Sequence, residues 1–319
     1  MQLKKLTITT ALMLAMAGVI FASGQAETVY PSRALTIVVP WNPGGVSDIR
    51  ARIIAEYLED ELGQPVVIRN TSGASGTVGT EEGLQAQADG YTLISIDDAT
   101  WYGLHNGIGD YQLSDFAPIS VMAKWPIAIA VRADAPWQTI LDLVEDARAN
   151  PGTIPLAMTT GNQSHMIPVE IQNLTGAEFS FVAPQGDAAR NAALLSGTVD
   201  AAMTYVAAVS EYLEAGEFRL LTHTLGSRLP NLPDVPTMQE QGLEIVYEMM
   251  GGFAAPAGTP QDRLDILEGA LGRVAANPEL QERLAEFSIF VEFMSTAETE
   301  AYLVEVNQRI SRFAQLVSQ

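Results

Sequence analysis

Leu35-Thr-Ile-Val-Val-Pro-Trp-Asn-Pro-Gly-Gly-Val-Ser-Asp48, continued by Ile49-Arg-Ala-Arg-Ile-Ile-Ala-Glu-Tyr-Leu-Glu-Asp-Glu-Leu-Gly63, decides the fold. Leu35 to Val39 is a short apolar, largely β-branched run, the pattern of a strand buried on both faces. Pro40 breaks it, Gly44-Gly45 allows a tight loop, and Ser47 or Asp48 can cap a following helix. In that helix Ile49, Ile53, Ile54, Tyr57, Leu58 and Leu62 recur at helical spacing, so one face packs on a sheet, and Gly63 ends it. A strand, a glycine-rich loop and a helix form the repeating unit of an α/β sheet.

The unit recurs outward from there. Pro65 to Arg69 leads to Asn70-Thr-Ser-Gly-Ala-Ser-Gly76 and a helix, and Thr92 to Ile96 ends in Asp97-Asp98. Leu156-Ala-Met158 leads to Thr159-Thr-Gly-Asn-Gln-Ser164 and a helical segment through Asn173. Phe179 to Val182 leads to Pro184-Gln-Gly-Asp187 and a helix to Leu195 that Gly197 ends. The C-terminal part differs: Thr259-Pro260, Asn277-Pro278 and the capping box Ser295 to Glu298 start three amphipathic helices. The apolar stretch Ala117 to Val131 reads as a crossover between domains. A return lies near Ile245 to Ala255, where Gly251-Gly252 interrupts Tyr247 to Met250. Two crossings predict two α/β lobes with a hinge and a cleft: lobe 1 from 27–123 and 250–319, lobe 2 from 124–249.

Composition narrows the chemistry. The 319 residues are 47% hydrophobic and include no cysteine, which excludes thiolate catalysis, cysteine-ligated metal and a lipid-anchoring cysteine. A formal charge of −21 opposes nucleic acid and anionic membrane as partners. Residues 1–26 read as a secretory leader: Lys4 and Lys5, an apolar run from Leu6 to Phe21, then small residues ending in Ala26. Cleavage there would release a protein outside the cytoplasm, a setting that argues against ATP- or NAD-dependent chemistry.

Ligands of open α/β sheets bind at the carboxyl ends of the strands. Helix N-termini there hold anions through unpaired N–H groups and a partial positive charge. The four loops, Pro43 to Asp48, Gly73 to Gly79, Gly161 to Ser164 and Gln185 to Asp187, contain no lysine or arginine. Gly73-Ala-Ser-Gly-Thr-Val-Gly79 has neither dinucleotide spacing nor a P-loop lysine. His105, His165 and His223 lie far apart in sequence, so no metal and no cofactor is expected. No Gly-x-Ser-x-Gly elbow supports a hydrolase. His165, beside Ser164 at a helix start, is either a hydrogen-bonding wall of the cleft or capping-region packing. Trp41 and Trp101 sit at loops and are expected as cleft walls.

Tyr30-Pro-Ser-Arg-Ala34 running into the opening stretch resembles the start of the substrate-binding proteins of tripartite tricarboxylate transporters, the Bug family. So do Gln64 to Gly76, Ala88-Asp-Gly-Tyr-Thr-Leu93, Asp115-Phe-Ala-Pro118, Asn150-Pro-Gly152, Leu232-Pro-Asp-Val-Pro-Thr237 with Glu240 and Gly242, and Ala255-Pro-Ala-Gly-Thr-Pro260. The resemblance implies a two-lobed Venus-flytrap receptor of type II that binds a small organic carboxylate. It implies delivery to the membrane permease subunits of the transporter, a periplasmic location, a monomer, and no catalysis. A ligand-sensing module for a membrane sensor and a secreted hydrolase are the alternative readings. Carried over by position, Trp41, Asn42, Gly44, Gly45, Ser47 and Asp48 form the first-lobe loop, with Gly73, Ala74, Ser75 and Gly76 as its second contact. Gly161, Gln163, Ser164 and His165 face them, with Gln185, Gly186 and Asp187 alongside. Ser47 and Ser164 are expected to donate their hydroxyl hydrogens to a solute carboxylate.

The sequence departs from the family pattern at Trp41-Asn42, at Ala183-Pro-Gln-Gly186 and at Asp97-Asp98 with Trp101. Adjacent strand-end residues point to opposite sides, so one aspartate, with Asp98 the choice, and Trp101 are expected at the ligand; the alternative is that both aspartates cap the next turn and face water. An ionised aspartate about 6 Å from a second anion costs roughly 3 kcal/mol at an effective dielectric near 20. That disfavours a plain dicarboxylate and favours a solute bearing an ammonium or several hydroxyls, with Trp101 as its wall.

Overall fold

The computed structural model describes residues 30–184 and 186–317, so the leader read at 1–26 and the candidate Gln185 lie outside the described residues. The opening unit forms as its pattern demands. β1 (Leu35–Val39) is almost wholly buried and pairs in parallel with β2 (Val66–Asn70) and β3 (Thr92–Asp97). α1 (Val46–Leu62) follows β1, and Gly63 closes it in the left-handed conformation with its N–H on Glu59 O. The start of α1 corrects the capping expectation: Gly45 is the N-cap and no side chain caps it. Asp48 reaches back from inside the first turn instead, where its Oδ2 accepts the Gly44 N–H at 2.9 Å. α2 (Thr77–Leu84) and α3 (Asp98–His105) follow β2 and β3.

The two-lobed plan depends on β4 (Phe116–Arg132), the extended run read as a crossover. From Phe116 to Pro126 it pairs with β9 (Glu248–Pro256), and around Val121 to Lys124 with β10 (Phe290–Met294). From Ile127 onward its partners are β7 (Ala201–Tyr205) and β8 (Phe218–His223), and β7 continues to β5 (Pro155–Ala157) and β6 (Ser180–Val182). The strand order β2-β1-β3-β9-β4 inserts the returning strand between β3 and β4, the type II arrangement. Around the second half lie α4 (Ile140–Ala149), α5 (Gln163–Thr175), α6 (Asp187–Leu195) and α7 (Val206–Glu214).

Gly251-Gly252 does not interrupt the return; both residues lie within β9. A Cβ on Gly252 would collide with the Ser120 carbonyl of β4, and one on Gly251 with the Arg50 guanidinium. The glycines therefore serve close approach, not a turn. After β9 come α8 (Gln261–Ala275), α9 (Pro278–Ala285) and α10 (Thr296–Val317). Leu303, Val306, Ile310 and Phe313 of α10 pack with Ile94, Ile96, Tyr102, Phe116 and Trp101. Trp101 is thus core: it is 0% exposed and meets the Phe116 ring edge-on at 5.1 Å. This corrects its placement as a cleft wall. The apolar face of α10 needs a large partner, and Trp101 on the inner side of α3 supplies it.

Candidate functional site

The parallel strands of both lobes end in polar groups. In the first lobe the loop after β1 holds Trp41, Asn42, Gly44 and Gly45, of which Asn42 and Gly44 are exposed. Asn70 at the end of β2 clasps this loop by donating to Trp41 O at 3.1 Å and to Asp48 Oδ1 at 2.8 Å. Burial works to raise the Asp48 pKa, but hydrogen bonds from Arg52, Gly44 N–H and Asn70 outweigh it and hold the carboxylate below its ordinary range. Asp48 is 2% exposed, so it fixes the loop and is not open to a solute. Gly76, at φ 89°, lets the second loop lie against Trp41, whose ring would be 2.9 Å from a Cβ at that position. Gly73, Ala74 and Ser75 are exposed beside it.

At the centre of the first lobe the Ser47 hydroxyl donates to Asp97 Oδ2 at 2.7 Å. Asp97 also caps α3 by accepting the Ala99 N–H at 3.0 Å. Beneath it Arg50 is fully buried, donating to Ser95 Oγ at 2.8 Å and lying 4.9 Å over the Trp125 ring. Burial lowers the Arg50 pKa to about 10 against the opposing attraction of Asp97, whose own pKa burial raises.

In the second lobe Asn162 caps α5: its Oδ1 accepts both the Ser164 N–H, at 2.9 Å, and the Ser164 hydroxyl, at 2.7 Å. The Thr159 N–H, just past β5, donates to Ser164 Oγ at 2.8 Å. His165 Nδ1 accepts the Gly161 N–H at 3.2 Å, and burial depresses its pKa, so the ring is neutral at pH 7. Its edges meet Phe181 at 5.3 Å and Phe313 at 6.0 Å between ring centres. Gln163 is fully buried with its amide 2.5 Å from the Tyr205 hydroxyl at the end of β7. Arg190 of α6, 3% exposed, donates to Thr159 Oγ1 and pairs with Asp187. Gly186 is the N-cap of α6 and exposed.

The two sets lie within electrostatic reach of each other. Burial pushes the Tyr205 hydroxyl well above its ordinary pKa, and the charges of Asp187, Arg190 and Asp97 all act on it. Asn106 at the end of α3 donates to Gly161 O at 2.9 Å; a Cβ on Gly161 would take the space of that amide. Tyr102 donates to Met166 Sδ at 3.6 Å. Among the described residues no cluster of three His, Cys, Asp or Glu could hold a metal ion, and no helix is long and apolar enough to cross a membrane.

Residues 50–318 match the family described as the tripartite tricarboxylate transporter family receptor. The chain belongs to this family. It is similar to BugT of Bordetella pertussis, 29% identical over 315 residues that cover 97% of this chain and 96% of that protein. Among solved structures it is similar to the periplasmic binding protein BugD, with 30% identity, a TM-score of 0.77 and coverage of 91% and 98% of the two chains. A Rhodopseudomonas palustris protein solved with adipate is 28% identical, with a TM-score of 0.82 and coverage of 90% and 98%. The family is described as one of receptors, and BugD as a periplasmic binding protein.

In this receptor the structure changes several roles that the sequence suggested. The hydrogens of Ser47 and Ser164 are already directed at Asp97 and Asn162, so neither is free to donate to a solute. Asp98 is turned away from the loops: it is 1% exposed and accepts from Tyr302 at 2.7 Å, Tyr247 at 3.0 Å and Arg309 at 3.3 Å. That corrects its expected position at the ligand, because α10 and the segment before β9 hold its carboxylate in the interior. The sequence reading chose Asp98 over its neighbour Asp97, quoted Thr159 only as the start of a loop, and passed over Arg190, Tyr205 and Asn106. Tyr205 had a usable signal, since Ala201 to Tyr205 is another apolar strand run followed by a helix, but no glycine-rich loop marked it. Arg190 lies only three residues past the Asp187 loop that appeared free of cations.

Proposed function

We propose that this receptor captures a small carboxylated solute between its lobes, outside the cytoplasm, and delivers it to a tripartite-type membrane permease without catalysis. The observation that carries the reading is the convergence of the ends of β1 and β3 with those of β5 and β7. Asn106, just past α3, donates to Gly161 O beyond β5 at 2.9 Å, and the charge of Asp97 acts on the Tyr205 hydroxyl at the end of β7. The adipate found in the 28%-identical neighbour supports the solute class. Our lobe boundaries, 27–123 with 250–319 against 124–249, are supported by the change of β4's partners from β9 and β10 to β7 and β8. We take residues 1–26 as the export leader and the mature protein as a monomer.

A thermal-shift screen of carboxylates, adipate and malate included, tests the reading. A true solute at 100 times its Kd stabilises by about 2.7 kcal/mol. Small-angle scattering at saturation should show compaction as the lobes close. Absence of any carboxylate-induced shift, combined with turnover of ester substrates, would establish the hydrolase reading instead.

A further inference from the structure

The loops that face the solute carry no cation in sequence, yet the fold brings one to them. Arg190 closes the first turn of α6, and its guanidinium donates to Thr159 Oγ1, just beyond the carboxyl end of β5. Its second nitrogen pairs with Asp187, whose side chain is 31% exposed, so solvent screens that pairing. The Nε–H of Arg190 is buried and has no partner among the described residues, and the same holds for Gln163 Oε1. Buried N–H groups in folded proteins are almost always paired, and one without an acceptor costs stability. The Arg190 guanidinium is thus held at two nitrogens while its third N–H keeps its donor capacity unused.

The surroundings specify the kind of acceptor. The Arg190 guanidinium offers donors only. On the Tyr205 hydroxyl the charges of Asp187 and Arg190 act from lobe 2 and that of Asp97 from lobe 1, so Arg190 is the positive charge among the three. A solute carboxylate is therefore favoured on the Arg190 side. There the N-terminus of α5 adds a second source of positive potential. Ser47 and Ser164 cannot compete for this task, because their hydrogens point to Asp97 and Asn162.

We propose that Arg190 is the specificity-determining residue that reads an acidic group of the solute. It would select carboxylates over neutral isosteres by a charge-assisted hydrogen bond from its unused Nε–H. This rests on the carboxylate-receptor reading above. The experiment is calorimetric titration of wild type, Arg190→Gln and Arg190→Lys with adipate and adipamide, and with malate and its diamide as a shorter pair. Wild type should prefer an acid over its amide by at least thirtyfold. Arg190→Gln should reduce that ratio to a few-fold while amide affinity stays within threefold of wild type, and Arg190→Lys should restore much of it. A structural role would instead lower both affinities together, and that result overturns the proposal, as does a ratio unchanged in Arg190→Gln. Those outcomes leave the receptor reading intact, whereas a wild type that prefers neither acid over its amide overturns both. Thermal melts of the three proteins establish that each is folded.

Discussion

Asp97 and Asp98 are adjacent in the chain and both almost completely buried, but they serve different regions of the molecule. Asp97 stays with the site: it caps α3, accepts the Ser47 hydroxyl and lies within electrostatic reach of Arg50 and Tyr205. Asp98 points into the interior, where Tyr302, Tyr247 and Arg309 donate to it from α10 and from the segment entering β9. Arg309 also lies 4.8 Å over the Tyr247 ring. The first carboxylate joins the first turn of α1, through Ser47, to the first turn of α3, through the Ala99 N–H. The second ties the first lobe's helix α3 to the returning chain and the C-terminal helix. Identical chemistry one residue apart thus holds a helix start beside the candidate site in one case and joins distant segments in the other.

The largest effect that would sharpen this contrast is the loss of Asp98. Asp98→Ala strands two buried tyrosine hydroxyls and the Arg309 charge, and should cost about 4 kcal/mol in urea unfolding. A cost below about 1 kcal/mol would show that the cluster is not what holds α10 in place. Next comes pH. Burial raises the Asp98 carboxyl to about 6 from a reference of 3.8, against the pull of Arg309 and the two tyrosines. Below the reference both folded and unfolded states carry the proton, and between there and about 6 only the folded state does. Stability contributed by this group is therefore full at low pH and lost as pH rises through about 6. Relative to Asp98→Asn, wild type should lose about 2.4 kcal/mol between pH 4 and pH 7. A flat difference would place the carboxyl's titration elsewhere.

Asp97→Ala should be milder for folding, about 1–2 kcal/mol from the lost cap and the unpaired Ser47 hydroxyl. Its larger consequence should appear in solute affinity, measured by titration with adipate. If Asp97→Ala destabilises as much as Asp98→Ala, the contrast between the two aspartates fails. The smallest effect is expected from Ser47→Ala. Because its hydrogen points to Asp97, the change should cost about 0.5–1 kcal/mol of stability and leave carboxylate affinity nearly unaltered. A tenfold loss of adipate affinity in Ser47→Ala would restore the hydroxyl as a direct donor.

Much of the fold was legible because it rests on local pattern. The run Leu35 to Val39, the stripe along α1 and the αL stop at Gly63 are each contained within a few residues, as are the Asn277 cap and the Ser295 to Glu298 box. The long apolar stretch that became β4 carried the two-lobed plan. Gly251-Gly252 was misread for a matching reason: a glycine pair looks like a break, and only the approach of Ser120 and Arg50 shows why a strand needs it. The candidate loops were found, but the roles inside them were not. Asp48, Ser47 and Ser164 looked available to a ligand because a sequence does not display which polar groups already have partners.

By itself, then, the sequence determined the α/β units, the crossings between lobes and where the loops would gather, since hydrophobic period and turn chemistry act over short spans. The tertiary structure alone decided which polar side chains reach those loops and which are held inside. Asp98 meets Tyr247, Tyr302 and Arg309 across 149, 204 and 211 residues of chain, and Arg190 meets Thr159 across 31. Burial and electrostatic pairing depend on distance in space, and at such separations only the packed fold sets that distance.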